Sequence, residues 1–125
     1  MQTRRRSWRK KFGEAFRGVA QAMREQSSFR IQIPAAGLVI ALAATLGCSP
    51  GEWCLSIACI AGVLAAETFN SSIETLFHAL DDATKNRMRG CLDQAAGAVL
   101  LASIGSVAVG AIIFVPKLLA LLDPP

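Results

Sequence analysis

Three long uncharged apolar segments divide the sequence and predict membrane-spanning helices. They cover residues 33–46, 54–66 and 95–116. A helix needs about 20 mainly apolar residues to cross a bilayer. The third segment has this length by itself, and the first has it once its flanks are included. The second has it only if the helix continues into a more polar stretch that contains Glu67 and Asn70.

A soluble helical bundle is the competing interpretation of these segments. Its helices would each carry a polar face, but residues 95–116 have none over about six turns of helix. We therefore predict an all-α membrane protein whose 125 residues form a single domain. Its transmembrane helices are expected at 29–48, 52–80 and 93–116, with a polar loop at 81–86 before the last one.

The spacing of apolar residues differs ahead of the first predicted span. There, apolar residues recur every three or four positions, and a basic and polar face lies opposite them. The apolar residues are Trp8, Phe12, Phe16, Val19 and Met23. This spacing predicts an amphipathic helix over 8–26 that lies in the headgroup plane, after a disordered basic tail at 1–7. A surface helix packed on a soluble core has the same spacing and remains the alternative.

Basic residues are distributed unevenly between the two sides of the predicted spans. Many precede the first span, and Lys85, Arg87 and Arg89 follow the second, whereas the connection at 48–52 has none. The positive-inside rule therefore places the N-terminus in the cytoplasm and the C-terminus outside. The net charge of +4 is explained by this topology. Without a basic groove interleaved with aromatics, no nucleic acid is expected as a partner.

Polar side chains form one stripe along the second predicted span. They fall on a single helix face: Glu67, Asn70, Ser71, Glu74 and His78. An ionisable group at membrane depth is costly and marks a functional site. The deeper Glu67 suits a general base toward a hydroxyl, and Glu74 suits Mg²⁺, which shares its ligands with substrate phosphates. The stripe favours phosphoryl transfer from ATP to a lipid hydroxyl.

Other interpretations of the stripe remain open. No P-loop or protein-kinase motif accompanies it. An ion or proton pathway would also need carboxylates in a span, although no ionisable residue continues the stripe outward. Asn70 and Ser71 would equally suit hydrogen bonding between helices.

Residues 16 to 110 resemble the small prokaryotic diacylglycerol kinase and undecaprenol kinase family. Three motifs carry the resemblance: GVAQAMREQSSFRIQ at 18–32, ETFNSSIE at 67–74 and LDQAAGAVLL at 92–101. It implies a homotrimeric lipid kinase of the bacterial inner membrane. Such an enzyme binds Mg-ATP from the cytosol and a lipid alcohol, either diacylglycerol or undecaprenol, between its subunits.

The resemblance also implies roles for individual residues. Glu67 is expected to be the general base, Asn70 to orient the site and Glu74 to bind the metal. Asp93 is expected to support the site from the third span. Further contacts to the nucleotide, or support for it, are expected from these residues: Ser71, His78 and Arg17.

Three charged positions of the family pattern are different here. A second metal ligand, usually Glu, is replaced by Gln26, with Glu25 one residue earlier, so both residues are candidate metal ligands. Leu92 stands where a Lys usually precedes Asp93, and His78 stands where Asp is common. These changes favour an alternative function, a catalytically weak or inactive trimeric membrane scaffold for binding or interaction.

Overall fold

The computed structural model describes residues 7–123, and these form helices without any strand. The helices are α1 (Trp8–Glu25), α2 (Phe29–Thr45), α3 (Pro50–His78) and α4 (Asp82–Leu122). The predicted all-α class is therefore confirmed for the described residues. The predicted disordered tail lies outside them except for Ser7, whose hydroxyl accepts a hydrogen bond from the backbone N–H of Lys10 at the start of α1.

Two helices, or three, are long and apolar enough to cross a membrane. Helices α3 and α4 meet this criterion separately, whereas α2 meets it only together with α1. The 17 residues of α2 give a length of about 26 Å. This helix is shorter than the predicted span at 29–48 because Gly47 adopts a φ of 67°, a left-handed conformation that ends helices.

Helix α1 lies across the direction of α2. The two helices meet at an angle of 106°, which is the arrangement expected when one helix follows the membrane surface and the next enters the bilayer. The apolar stripe of α1 is exposed along its whole length, and α1 buries no residue. It is therefore not packed on a core formed by the described chain, which argues against the soluble-surface alternative.

Helices α3 and α4 form an antiparallel hairpin and share the most extensive helix contact of the fold. At the start of α3, Ser49 and Glu52 form a capping box in which each side chain accepts the other's backbone N–H. Lys117 of α4 reaches the same carboxylate, with 3.1 Å between its Nζ and Glu52 Oε1. Lys117 lies at the predicted outer end of the last span, where the positive-inside rule does not favour a basic residue, and it has this local partner.

The predicted polar loop at 81–86 is wrong. Helix α4 begins at Asp82, with Asp81 as its N-cap residue, and no Gly or Pro interrupts its first two turns. The Thr84 hydroxyl donates a hydrogen bond to Asp81 Oδ1 and thereby lowers the pKa of that carboxyl. The polar composition of residues 81–86 does not mark a loop here. Asp before a run of helix formers is an N-cap signal.

The predicted limits of the last span also differ from those of the helix. Helix α4 does not begin near Asp93 or end before Pro116, but continues to Leu122. Membrane helices tolerate such a proline because neighbouring groups compensate for the missing N–H. With 41 residues, α4 is about 61 Å long, twice the hydrocarbon thickness of about 30 Å. In a bilayer, its polar first turns would therefore extend beyond the hydrocarbon core.

The small apolar core lies at the end of the bundle opposite the acidic stripe. Ala43, Ile113 and Phe114 are buried there, against side chains from the end of α2 and the start of α3. Many large apolar side chains elsewhere on α3 and α4 are exposed. An apolar surface of this extent is stable against lipid or further protein, but not against water.

Candidate functional site

The deeper part of the polar stripe on α3 is buried within the single chain, whereas Glu74 is half-buried and His78 is exposed. Glu67, Asn70 and Ser71 keep only 4%, 7% and 5% of their surface exposed. Glu67 lies about 16 Å along the helix from His78 and about 25 Å from Pro50. It is therefore deep in a helix that is long enough to span a bilayer, as predicted.

Glu67 is held by a residue of α2. The side-chain amide of Gln32 donates a hydrogen bond from Nε2 to Glu67 Oε2 over 3.2 Å. Ser71 donates to the backbone carbonyl of Glu67 over 2.8 Å, so its hydroxyl is used inside the helix. Among the described residues, no Lys, Arg or His forms an ion pair with Glu67. A buried carboxylate supported by one amide is costly to maintain.

A second amide supports the second carboxylate. Asn70 donates from Nδ2 to Oε1 of Glu74 over 3.1 Å. The other amide atom, Asn70 Oδ1, is buried without a hydrogen-bond partner, as is Oε1 of Gln32. Buried acceptors are normally satisfied. These two oxygens, one beside each carboxylate, therefore mark places where a donor or a cation would bind.

The half-buried carboxylate of Glu74 and the buried, unpartnered oxygen of Asn70 are oxygen donors on two neighbouring side chains. Oxygen donors are the ligands that Mg²⁺ prefers, and this ion needs few of them from the protein because phosphates and waters complete its shell. The pair is chemically suited to Mg²⁺. The described residues contain no group of three or more His, Cys, Asp or Glu that could hold a metal by itself.

The candidate residues of α1 make contacts within their own helix. Glu25 is exposed and accepts a hydrogen bond from Gln21, and the Nε of Arg17 donates to the Gly13 carbonyl. Gln26 is half-buried and ends α1. In the described part of the chain, no hydrogen bond or ion pair links any of these predicted site residues to Glu67 or Glu74.

The two remaining candidates lie at the polar end of the stripe. His78 is exposed, and its ring meets the ring of Phe77 edge-on, with 5.9 Å between centroids. Asp93 is exposed on α4. Ser106 Oγ of α4 contacts the Cys59 carbonyl of α3 at 3.5 Å. Because the two helices are antiparallel, residues before Ser106 lie beside residues after Cys59. Asp93 therefore lies close to the level of Glu74, without a hydrogen bond or ion pair to it among the described residues.

Gln32 is the site residue that sequence reasoning missed as a candidate. It also lines an apolar cleft of about 460 Å³ between α2, α3 and α4. The cleft walls are mainly aliphatic, including Val39, Val63 and Val107. Gln32 lies within the predicted span at 29–48, and a polar residue inside a membrane span is itself a functional signal.

The fold and the site together define an all-α protein with helices long and apolar enough to cross a membrane and with a buried carboxylate beside two buried, unsatisfied amide oxygens. Comparison with known proteins identifies its family. The family profile "Prokaryotic diacylglycerol kinase" matches residues 13–114, and the chain belongs to this family of lipid kinases.

One curated relative is the undecaprenol kinase of Bacillus subtilis (strain 168). The two sequences are 30% identical over 109 residues, which cover 87% of this chain and 89% of the relative. No solved structure gives a significant match to the chain. The suspected family resemblance is thereby confirmed over most of the chain.

Proposed function

We propose that this chain is an ATP-dependent lipid kinase that transfers the γ-phosphate of ATP to the hydroxyl of a membrane lipid alcohol. The observation that carries the proposal is the buried Glu67 carboxylate, which has an amide donor but no cation among the described residues. A carboxylate at this depth is expensive to keep, and a general base for a lipid hydroxyl is a reason to keep it.

Glu67 acts on the acceptor alcohol. The alcohol's O–H bond breaks, the proton passes to the carboxylate of Glu67, and the oxygen forms a bond to the γ-phosphorus. The bond from that phosphorus to the oxygen bridging to the β-phosphate breaks, and ADP leaves. Positioned proton transfer of this kind contributes about 10²- to 10⁴-fold to a rate.

Glu74 and Asn70 serve the nucleotide end of the site. Both lie closer to the end of α3 than Glu67 does, and their oxygens suit a hard cation. Mg²⁺ bound there would neutralise charge on the phosphates of ATP. Asp93 lies near the same level on α4 and supports this end. His78 and Arg17 assist from the surface, and Glu25 or Gln26 supplies the second metal ligand if α1 approaches α3 more closely when ATP binds.

Undecaprenol is the first acceptor to test, because the curated relative is an undecaprenol kinase with 30% identity. Diacylglycerol is the second, because it appears in the description of the family. Both are apolar molecules with one free hydroxyl. The apolar cleft beside Gln32 suits the chain of either lipid.

The working form is a homotrimer in the bacterial inner membrane. Exposed apolar surface on α3 and α4 provides area for subunit contacts. The basic residues at the start of α4 share one side with His78 and α1, which supports a cytoplasmic N-terminus and an outer C-terminus. Light scattering of the purified protein in micelles should give the mass of three chains.

One set of observations favours the alternative of a weak or inactive scaffold. Gln26 and Leu92 stand where the family pattern has charged groups, and the described residues lack a three-ligand metal cluster. A scaffold of this kind would keep the trimer and the lipid cleft but would transfer no phosphate.

An acceptor assay tests the proposed function. The purified chain is incubated in lipid vesicles with γ-labelled ATP, Mg²⁺ and either undecaprenol or diacylglycerol, and label is counted in the extracted lipid. Transfer to either lipid that requires the added alcohol supports the kinase. A folded trimer that labels neither lipid supports the scaffold. Ion flux through the vesicles without nucleotide would instead support the ion-pathway interpretation.

A further inference from the structure

Gln32 occupies a position with two separate tasks. Its Nε2 donates to Glu67 Oε2 over 3.2 Å, and its Oε1 is buried without a hydrogen-bond partner. A buried amide oxygen without a donor is costly. This loss of stability is offset only if a hydrogen-bond donor binds to the oxygen during function.

The position of this oxygen limits what the donor can be. Gln32 lies on the wall of the apolar cleft between α2, α3 and α4. Three serines also lie on that wall, and two of them, Ser56 and Ser106, donate their hydroxyls to backbone carbonyls. A ligand that fills the cleft must therefore be apolar along its body and must carry a hydrogen-bond donor at the end that meets Gln32.

We propose that Gln32 is the positioning residue for the acceptor lipid, an inference that rests on the proposed kinase function. Its amide N–H fixes the carboxylate of Glu67, and its amide oxygen accepts a hydrogen bond from the hydroxyl of a long-chain alcohol seated in the cleft. The hydroxyl is thereby delivered beside the carboxylate, and it needs only to rotate to give up its proton. A hydrocarbon chain without the hydroxyl would lose this contact.

An equilibrium binding experiment without ATP tests the contact independently of phosphate transfer. Wild type and Gln32→Met bind tritiated farnesol or its methyl ether in micelles. Methionine keeps the length of the side chain but removes both amide atoms. Wild type should bind farnesol about 2- to 10-fold more tightly than the ether, because the ether lacks the donor of one hydrogen bond. Gln32→Met should bind the two molecules equally and the ether as wild type does.

A matched control uses the same substitution at Gln21. That side chain is exposed on α1 and bonds to Glu25 of its own helix, so Gln21→Met should keep the preference for farnesol. If wild type shows no preference for the hydroxyl, or if Gln32→Met retains it, the inference is overturned.

Steady-state kinetics provides the second readout. Gln32→Met should raise the KM for the lipid alcohol about 2- to 10-fold and lower kcat, because Glu67 loses the donor that orients it. The KM for ATP should stay unchanged, whereas a purely structural defect would alter it as well. A wild-type chain that prefers the hydroxyl but transfers no phosphate would contradict the proposed function while leaving Gln32 as the partner of the hydroxyl.

Discussion

Asn70→Asp is the substitution that best examines the nucleotide end of the site. Asp has nearly the shape of Asn, but it replaces the donor that faces Glu74 with a second carboxylate oxygen. The two charged oxygens would start 3.1 Å apart. At an effective dielectric constant of about 20 their repulsion is about 5 kcal/mol, and it falls to about 3 kcal/mol if the side chains separate to about 6 Å.

The repulsion should appear as a loss of stability that Mg²⁺ reverses. A cost of about 3 kcal/mol corresponds to a thermal midpoint lower by on the order of 10 °C. A divalent cation bound between the two carboxylates converts the repulsion into attraction, so Mg²⁺ should raise the midpoint of Asn70→Asp by more than that of wild type. Thermal unfolding in micelles over a Mg²⁺ titration measures both effects.

The matched control is Asn86→Asp, the same substitution at an exposed position near the start of α4. Its thermal midpoint should respond to Mg²⁺ as that of wild type does. Equal responses of Asn70→Asp and Asn86→Asp would show that Asn70 and Glu74 do not form a cation site, and the reasoning on the nucleotide end would then fail.

Three further predictions concern the scaffold around the site. Lys117→Met should cost no more than about 1 kcal/mol, because its pair with Glu52 is partly exposed, at 25% and 27%; a double-mutant cycle with Glu52→Gln measures the coupling. Phe29→Ala should cost on the order of 3 kcal/mol in unfolding experiments, because this side chain is only 2% exposed. The lowered pKa of Asp81 should stabilise the start of α4 above the carboxyl's unfolded-state pKa. This stabilisation should be lost as the pH falls through its folded-state pKa, and amide exchange should show the loss in wild type but not in Thr84→Val.

The stripe on α3 was predictable because its information is local. Spacing along one helix sets which side chains share a face, so the sequence alone places Glu67, Asn70 and Glu74 together. Their depth followed from the hydropathy of the flanking residues. The hydrogen bond from Gln32 joins residues that are 35 positions apart, and no periodicity reports a contact between two different helices.

The limits of α4 differ from those of the predicted last span for a different reason. Hydropathy marks where a chain leaves the hydrocarbon, but a helix ends only where its backbone hydrogen bonding ends. The segment after Asp81 is polar yet has good helix formers, so the helix begins there and not near Asp93. At the other end Pro116 removes one backbone donor, which is a local defect that a long packed helix tolerates.

The contacts of the α1 candidate residues with a nucleotide could not be predicted from the sequence. Glu25 was proposed from its place in a sequence motif and Arg17 from the family resemblance, and their side-chain hydrogen bonds are within α1 itself. Whether they approach a nucleotide depends on contacts between subunits and on the membrane surface. Neither of these is encoded in helical spacing.

The most direct measurement of the central claim is the single-turnover rate of phosphate transfer to the lipid alcohol by Glu67→Gln. Glutamine keeps the size of Glu67 and an oxygen for the Gln32 amide, but it cannot take up the proton. Glu52→Gln is the same change at the far end of α3. We expect Glu67→Gln to lose about 10²- to 10⁴-fold in rate while Glu52→Gln transfers phosphate as wild type does. A folded Glu67→Gln protein that phosphorylates lipid at the wild-type rate would contradict the account.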